Sequence, residues 1–290
     1  MRQSCEDIQL TDVTQVLGVS MPKLSIITIN LNSAEGLEKT ICSVINQTYS
    51  DFEYIVIDGG STDGSVDVIK KYADKLSYWV SEADAGIYNA MNKGIRKAGG
   101  EYCQFLNSGD WLVAPDVTER MLKDMPDCAI CYGNMITMQN GIERIHKGFE
   151  GKPITLLDMF LYTIDHSPSY IRRDLFGKYG LYDETLKIVS DWKFYLTSVG
   201  LNNESVAYRD VNIAMFDVTG ISNRNPSLCR DERQLVIQSL INSNVIRDLE
   251  EFASIRDTCR RLNQHPWVWF IVRFLSFAVR KGEKLRTLFT

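Results

Sequence analysis

The 290-residue sequence lacks several features that would place it in a specialised class of protein. No stretch approaches about 18 uninterrupted apolar residues, which argues against a membrane-spanning helix. Basic charge is not in excess: the formal net charge is −5, which argues against a protein dedicated to binding nucleic acid. With 44% hydrophobic and 24% charged residues, the composition is that of a globular chain, neither disordered nor fibrous.

Three common catalytic motifs are also missing. The sequence has no Gly-x-x-x-x-Gly-Lys-[Ser/Thr] loop to cradle phosphates. No Gly-x-Gly-x-x-Gly follows the first predicted strand, and this absence weakens the hypothesis of a dinucleotide-dependent dehydrogenase. A serine hydrolase would need a Gly-x-Ser-x-Gly elbow, and none is present. The chemistry that remains is that of carboxylates and amides.

The seven cysteines cannot all pair, and a chain of this length needs no disulfide to stabilise its core. Cys128 and Cys131 form a Cys-x-x-Cys, but no second pair or histidine stands at zinc-ligand spacing. We therefore expect reduced cysteines that pack in the core, and a cytoplasmic protein. Residues 1–20 lack the basic start and apolar run of a secretory signal, so we predict a short N-terminal extension.

Short apolar runs alternate with helical patterns four times between residues 24 and 125. The β-branched run at 24–30 predicts a buried strand, and the apolar spacing over 36–46 predicts a helix after it. The same pairing recurs, with strands predicted at 52–57, 76–80 and 101–106 and helices at 65–72, 85–98 and 115–125. Such alternation predicts an α/β fold with a mostly parallel central sheet flanked by helices.

Beyond Cys131 the pattern loosens. Strands at 130–139 and 141–149 form a predicted hairpin around Asn140-Gly141. Further elements are expected as a helix at 156–161, an extended segment at 166–171, a helix at 191–199, strands within 205–216 and helix from 226 onward.

Polar loops follow each of the four early strands, at 30–33, 58–63, 81–86 and 107–110. Because the carboxyl ends of parallel strands meet at one edge of a sheet, we expect these loops to form one site. Clustered oxygens suit Mg²⁺ or Mn²⁺ and hence a diphosphate ligand, although an ordinary polar rim fits the spacing equally well. The carboxylates concerned are Asp58, Asp63, Asp84 and Asp110, with Asp191 from a later segment.

Four segments resemble family 2 glycosyltransferases. They cover 21–32, 38–49, 57–64 and 81–94 and read MPKLSIITINLN, EKTICSVINQTY, IDGGSTDG and SEADAGIYNAMNKG. Leu106-Asn-Ser-Gly-Asp-Trp111 then falls where that family carries its Asp-x-Asp-like motif. Looser segments are similar to members that build bacterial polysaccharides and O-antigens, at 166–167, 179–183, 190–192 and 216–222.

The resemblance implies a GT-A fold, a nucleotide-diphosphate sugar donor, a Mn²⁺ or Mg²⁺ cofactor and inversion at the anomeric carbon. The acceptor would be a hydroxyl of a glycan or of a lipid-linked acceptor in bacterial surface polysaccharide synthesis. The implied catalytic domain covers 21–225, with a nucleotide-sugar-binding half at 21–125 and an acceptor half at 126–225. A helical extension at 226–290 follows.

Residue by residue, the resemblance assigns the donor to the early loops and the chemistry to two aspartates. Asp110 takes the place of the metal-binding aspartate, and Asp191 takes that of the catalytic base, which must lie in reach of the acceptor hydroxyl. His166 and Trp192 are candidates for contact with the acceptor or the diphosphate. The donor would contact Thr28, Asn30, Asp58, Asp84, Lys93, Asn107 and Asp110.

Several of these residues also have a purely structural interpretation. Ser190 or Asp191 would cap the helix that begins there, and Asp63 would cap the helix predicted at 65–72. Asn107 would satisfy the amides of its own turn. His166 and Trp192 would be packing residues.

The sequence departs from the family's pattern at three positions. Gly59 and Gly109 stand where many members carry a second aspartate, so the nucleobase and the metal each lack a usual partner. Ser190 replaces the glutamate that often precedes the base. The two glycines support, as an alternative, a non-catalytic nucleotide-sugar-binding or assembly protein.

The C-terminal segment carries a separate signal. Trp267, Phe270 and Phe274 recur at helical spacing, while Arg273 and Arg280 share another face. A basic amphipathic helix of this kind lies in membrane interfaces, which would place the protein peripherally on the inner face of the membrane. A helix docked on the catalytic domain, or on a second copy in a homo-oligomer, fits the pattern equally well.

Overall fold

The computed structural model describes residues 22–139, 141–217, 224–265, 267–268, 270–275 and 277. The predicted N-terminal extension at 1–20 and the last part of the C-terminal segment, from 278, lie outside these residues. The chain divides into two compact units, Met1–Leu235 and Val236–Thr290. The domain limits implied by the resemblance, with a boundary at 225, stay a prediction.

Four parallel strands form the first half of the sheet, in the spatial order β3-β2-β1-β4. Three helices connect them along the chain. The elements are β1 (Leu24–Asn30), α1 (Ala34–Ile45), β2 (Phe52–Asp58), α2 (Ser65–Lys71), β3 (Tyr78–Ser81), α3 (Ile87–Lys97) and β4 (Tyr102–Phe105). This alternation confirms the predicted α/β fold.

Burial explains why these segments form a parallel sheet. All seven residues of β1 are buried, as expected for a strand with helices over both faces of its sheet. Helix α1 buries Leu37, Ile41 and Val44, which recur at three- and four-residue spacing. Helix α3 lies so close to β1 that a Cβ at Gly94 would collide with Ile27. The close approach of this helix therefore requires glycine at position 94.

The second half of the sheet is mixed and continues from β4 in the order β8-β6-β9-β5, with β7 paired to β6. The antiparallel pairing of β6 with β7, with Gln139 opposite Ile142, confirms the predicted hairpin. Two short elements, β5 (Trp111–Leu112) and α6 (Asp174–Tyr179), are not predicted from the sequence, because neither is long enough to show a hydrophobic period. The elements are β5 (Trp111–Leu112), α4 (Val117–Leu122), β6 (Ile130–Gln139), β7 (Ile142–His146), α5 (Leu156–Leu161), β8 (Ser169–Arg172), α6 (Asp174–Tyr179), α7 (Ser190–Tyr195) and β9 (Val206–Phe216).

Helices follow the sheet, as the sequence predicts from residue 226. They are α8 (Pro226–Leu240), which crosses the boundary between the two units, and α9 (Ser243–Asn263). None of the helices in the described part of the chain has the length and apolar character needed to cross a membrane.

We expect Gly94→Ala to lower the free energy of unfolding by about 1–3 kcal/mol, because the added Cβ would collide with the buried Ile27 side chain. The matched control is Gly177→Ala in α6, where an added Cβ meets no atom within 4 Å. The control should be as stable as the wild type or slightly more stable. Urea denaturation followed by circular dichroism measures both, and equal stability of the two variants would contradict the close packing of α3 on β1.

Candidate active site

Asn30, at the end of β1, connects the loops that follow β2 and β4. Its amide nitrogen donates to Asp58 Oδ1 (2.7 Å) and to Ser61 Oγ (3.2 Å). Its amide oxygen accepts from Ser108 Oγ (2.7 Å). The residue is 5% exposed, so these bonds are shielded from water. Asn30 therefore fixes two strand-end loops relative to one another.

The Asp58 carboxylate is fully buried and accepts five hydrogen bonds. The donors are the Asn30 amide, the hydroxyls of Ser61 and Ser81, and the backbone N–H groups of Gly60 and Ser61. Burial alone would raise the pKa of Asp58, but the hydrogen bonds outweigh it and lower the pKa below its ordinary value. Asp58 thus shapes its loop from the inside.

Two other residues of the early strands and loops are engaged within the protein. Thr28 is fully buried, and its hydroxyl lies 2.9 Å from the Tyr54 hydroxyl, inside the sheet rather than at its edge. Asp63 accepts from the N–H and hydroxyl of Ser65, the first residue of α2, but the N-cap residue of this helix is Gly64, so the predicted cap at Asp63 is corrected. It also accepts from the N–H of Ala34, so it holds the beginnings of two helices together.

Asp84 and Lys93 form an ion pair beside Gly59. Lys93 Nζ lies 2.5 Å from Asp84 Oδ1 and 2.9 Å from Glu82 Oε1. Burial acts to lower the pKa of Lys93, but the hydrogen bonds to these two carboxylates raise it above its ordinary value. A Cβ added at Gly59 would lie 3.0 Å from Asp84 Oδ2, so the Asp84 carboxylate stands next to the glycine. Leu31, which is 64% exposed, borders the same place.

A cavity of about 560 Å³ brings together five of the predicted residues. They come from the loop after β4, from the segment before β8 and from α7. These residues are Asn107, Asp110, His166, Asp191 and Trp192. The predicted metal-binding aspartate and the predicted base therefore border one space.

Asp110 is only 2% exposed and is held by two hydrogen bonds. Its Oδ2 accepts from Ser167 Oγ (2.8 Å), and its Oδ1 accepts from the backbone N–H of Asp217 (2.9 Å). Burial raises the pKa of Asp110 to about 6, although His166 and the two hydrogen bonds act to lower it. The negative charge of Asp217 acts in the same direction as burial. Ionising Asp110 is therefore costly in this environment.

Asp217 follows β9 and stands beside Gly109. The φ of Gly109 is +101°, a conformation that favours glycine. A Cβ added at Gly109 would lie 2.9 Å from Asp217 Oδ2. A carboxylate from a distant segment thus stands where the sequence lacks its second aspartate, and Asp84 has the same relation to Gly59.

The Asp191 carboxylate faces the cavity from the first turn of α7. Its Oδ1 accepts from the Tyr88 hydroxyl (2.9 Å), and its Oδ2 lies 3.7 Å from His166 Nδ1. The single proton of the Tyr88 hydroxyl is shared between Asp191 Oδ1 and the carbonyl of Ile188, whose oxygen lies 2.6 Å from the hydroxyl oxygen. Tyr88, which is buried, therefore sets the position of this carboxylate relative to the start of its own helix.

Glu232, on α8, satisfies the backbone amides that lead into α7. Its carboxylate accepts from the N–H groups of Lys187 (2.7 Å), Ile188 (2.9 Å) and Val189 (3.3 Å). The residue is 6% exposed. The capping interpretation of Ser190 and Asp191 is corrected, because the helix begins after the N-cap residue Val189 with no side-chain cap hydrogen bond, and the Asp191 carboxylate contacts Tyr88 instead.

The other three predicted cavity residues differ in what they offer to a ligand. His166 Nε2 lies 3.3 Å from Asn107 Nδ2. Asn107 Oδ1 is buried and has no hydrogen-bond partner among the described residues. Trp192 is 3% exposed, and its indole N–H already donates to the carbonyls of Met159 and Tyr162. Trp192 is therefore a wall of the cavity rather than a hydrogen-bonding group.

Sequence reasoning missed other residues that line the cavity, among them Tyr88, Asp165, Asp217 and Arg233. The first three lie within or next to segments whose motifs the sequence shows. Arg233 comes from α8, where no local pattern points to the cavity. Its guanidinium stacks over the Trp192 ring at 4.3 Å and donates to the Tyr162 carbonyl. Only the fold reveals that α8 forms part of this wall.

Comparison with known sequences gives a consistent set of matches. A model described as glycosyl transferase family 2 matches residues 25–185. An uncharacterized glycosyltransferase of Mycobacterium tuberculosis is 34% identical over 215 residues, which cover 72% of this chain and 80% of that protein. A PGL/p-HBAD biosynthesis glycosyltransferase of Mycobacterium bovis is 30% identical over 214 residues, which cover 71% and 81%.

Solved structures share the fold at lower identity. TarS of S. aureus in complex with UDP has a TM-score of 0.57 at 21% identity, over 67% of this chain and 60% of that chain. The mannosyltransferase PcManGT of Pyrobaculum calidifontis, in complex with GDP-Man and Mn²⁺, has a TM-score of 0.57 at 16% identity. That match covers 74% of this chain and 62% of PcManGT.

We expect Asp110→Asn to be more stable than the wild type at pH 8 in metal-free buffer. The pKa of Asp110 rises from 3.8 to about 6 on folding, so the wild type loses stability as the pH increases through that interval. The carboxamide carries no charge, and the difference in the free energy of unfolding should reach about 3 kcal/mol above pH 6 and vanish below pH 4.

Urea denaturation at pH 4 and pH 8 measures this difference. The control is Asp174→Asn, because the Asp174 side chain is 66% exposed and carries no comparable cost of burial. A variant at position 110 that is less stable than the wild type at pH 8 would show that the buried charge is not unfavourable.

Proposed function

We propose that this chain, which belongs to glycosyl transferase family 2, transfers a sugar from a nucleotide-diphosphate sugar to a hydroxyl acceptor with inversion at the anomeric carbon. Its predicted GT-A fold is confirmed by the sheet and by the structural neighbours. The observation that carries the proposal is that Asp110 and Asp191 border one cavity from separate elements. Inversion requires this separation, since the base and the leaving group act on opposite faces of the sugar.

Asp191 is the proposed base. The acceptor oxygen forms a bond to the anomeric carbon as the bond from that carbon to the diphosphate oxygen breaks, and an Asp191 oxygen takes the acceptor's proton. The hydrogen bond from Tyr88 to Oδ1 orients the carboxylate. Tyr88 is therefore a positioning residue in this proposal.

Asp110 and Asp217 are the residues that would hold a Mn²⁺ or Mg²⁺ ion. Their side chains fit such an ion, because the two carboxylates border the same cavity, their negative charges repel one another, and His166 lies nearby. In the part of the chain that is described, no three His, Cys, Asp or Glu side chains are arranged to hold an ion unaided, so diphosphate oxygens would complete its coordination. When bound, the ion would neutralise charge on the leaving diphosphate.

The nucleobase is proposed to lie against Leu31 with a ring N–H donating to Asp84 Oδ2. That oxygen is the one beside Gly59, while Lys93 holds the other. The nucleotides in the TarS and PcManGT complexes, UDP and GDP-Man, both contain a base with such an N–H. In this proposal Asp84 supplies the contact that an aspartate at position 59 would otherwise make.

Asn30 and Asp58 are proposed to position the donor loops. The Asn30 amide and both Asp58 oxygens are already engaged by protein groups, so they act by fixing the loops rather than by touching the donor. Thr28 acts one layer further in, through Tyr54.

The acceptor is proposed to approach along the wall formed by Trp192 and Arg233, because these residues adjoin the base. The Arg233 guanidinium, which lies over the Trp192 ring, has N–H groups that suit the hydroxyls of a sugar. We propose a glycan or lipid-linked acceptor on this basis, in bacterial surface polysaccharide synthesis.

The alternative of a non-catalytic binding or assembly protein is based on Gly59 and Gly109. A carboxylate stands beside each of these glycines, so the two substitutions do not favour that alternative.

We expect Asp191→Asn to lower kcat by roughly 10²- to 10⁴-fold, because a carboxamide cannot accept the proton. The KM for the donor and the melting temperature should change little, since the Asp191 side chain makes no cap hydrogen bond to the helix. Turnover is measured as nucleoside diphosphate released from a panel of UDP- and GDP-sugars with Mn²⁺. The control is Asp174→Asn, also an aspartate in the first turn of a short helix, and near wild-type turnover of Asp191→Asn would sink the assignment of the base.

We expect Asp110→Asn and Asp217→Asn each to weaken Mn²⁺ binding by about tenfold or more in the presence of UDP or GDP. Electron paramagnetic resonance of free Mn²⁺ measures this directly, independently of turnover. Asp116→Asn serves as the control, because the Asp116 side chain is 49% exposed. Wild-type Mn²⁺ affinity in both site variants, or turnover that survives EDTA, would remove the metal from the proposal.

A further inference from the structure

Six large apolar side chains are exposed on the last helical residues that the structure describes, and five of them, all except Phe277, lie between 267 and 275. Residues 267–268 and 270–275 are helical. The five side chains are Trp267 (66% exposed), Phe270 (76%), Ile271 (47%), Phe274 (64%) and Leu275 (56%). We refer to these five residues as the C-terminal apolar face. Contiguous apolar surface of this kind marks a contact with another molecule or with a membrane, unlike apolar residues scattered singly.

The spacing of these residues puts them on one side of the helix. At about 100° per residue, they fall within an arc of about 140°, and Arg273 lies outside this arc. In the sequence, Arg280 and Lys284 follow Arg273 at helical spacing. The pattern is therefore amphipathic, with aromatic and aliphatic side chains on one side and basic ones beside them.

The charge of this end of the chain is opposite to that of the whole. Residues 256–290 contain eight Lys and Arg but only two Asp and Glu, whereas the complete chain has a net charge of −5. A partner that complements this segment must be negatively charged at its surface and apolar just beneath. A bilayer that contains anionic lipids has both properties, at the depth that such side chains reach.

We propose that the C-terminal apolar face inserts into the interface of an anionic membrane, with Arg273 at the level of the lipid phosphates. The helix would lie along the surface, with Trp267 and Phe270 among the side chains that enter the acyl boundary by ~5–10 Å. The inference rests on exposure and charge and is independent of glycosyl transfer, so each can fail without the other.

The test is flotation of the full chain with vesicles of phosphatidylcholine alone or with one quarter phosphatidylglycerol. The wild type should float with the anionic vesicles only. Phe270→Glu combined with Phe274→Glu should lower the bound fraction by more than about tenfold, because two charges replace inserted rings. The matched control is Ile142→Glu on β7, also an exposed apolar residue (65%), which should bind like the wild type.

The electrostatic part is tested separately. Arg273→Gln should weaken binding to the anionic vesicles by roughly fivefold, and added salt should weaken it further. Arg247→Gln is the control, since its side chain is 74% exposed on α9. Equal binding of the wild type to both kinds of vesicle would overturn the assignment to an anionic surface.

Tryptophan fluorescence provides a second test that does not depend on whether the double variant folds. Brominated phosphatidylglycerol should quench part of the tryptophan emission, and Trp267→Phe should reduce that quenching. Absence of quenching, or failure of the wild type to float, would overturn the proposal. A dimer in light scattering that Phe270→Glu with Phe274→Glu converts to monomer, without vesicle binding by the wild type, would show that a second copy covers the face.

Discussion

The side-chain amide of Asn30 is the contact on which the geometry of the site depends. Polar loops follow the parallel strands at one edge of the sheet, where strand pairing no longer fixes their positions. Asn30 fixes two of these loops by donating to the loop after β2 and accepting from the loop after β4. Thr40 of α1 continues the connection, because its hydroxyl donates to the Asp110 carbonyl (2.6 Å) and accepts from the N–H of Gly109 (3.1 Å). The loop that carries Asp110 is thereby fixed from two sides.

The cavity combines charge with burial, and this combination opposes folding. Four carboxylates border it, and burial raises the pKa of Asp110 and of Asp165. Protein interiors seldom keep carboxylates in such a place without a compensating role, because desolvation disfavours the charged form. Arg233 is a half-buried cation on the same wall, and its partial burial lowers its pKa. A ligand with positive charge near the carboxylates and phosphate near Arg233 would offset the cost of burying the carboxylates and the cost of burying the guanidinium.

The parallel half of the fold follows from the sequence, because each strand there is a continuous apolar run and each helix has its own period. The mixed half does not, since the parallel pairing of β6 with β9 joins residues more than 70 positions apart and leaves no local trace. The site shows the same division. Asp110 and Asp191 lie in motifs and border one cavity, and Asp217 also lies in a family-like segment, whereas Arg233 comes from a helix without any such motif. The sequence shows that Gly59 and Gly109 replace aspartates of the family pattern. It does not show that the carboxylates of Asp84 and Asp217 stand beside these two glycines.

The position of Glu232 has a consequence for the order in which the enzyme matures during synthesis. Its carboxylate holds the amides that lead into α7, and it follows Val189 by 43 residues. At ~5–20 residues per second, translation reaches Glu232 roughly two to nine seconds after Val189. Until then the amides of residues 187–189, which precede the helix that carries Asp191, lack this acceptor, although the parallel half of the sheet has already been synthesised. The nascent chain thus contains the loops that Asn30 connects before it contains the carboxylate that supports the start of α7.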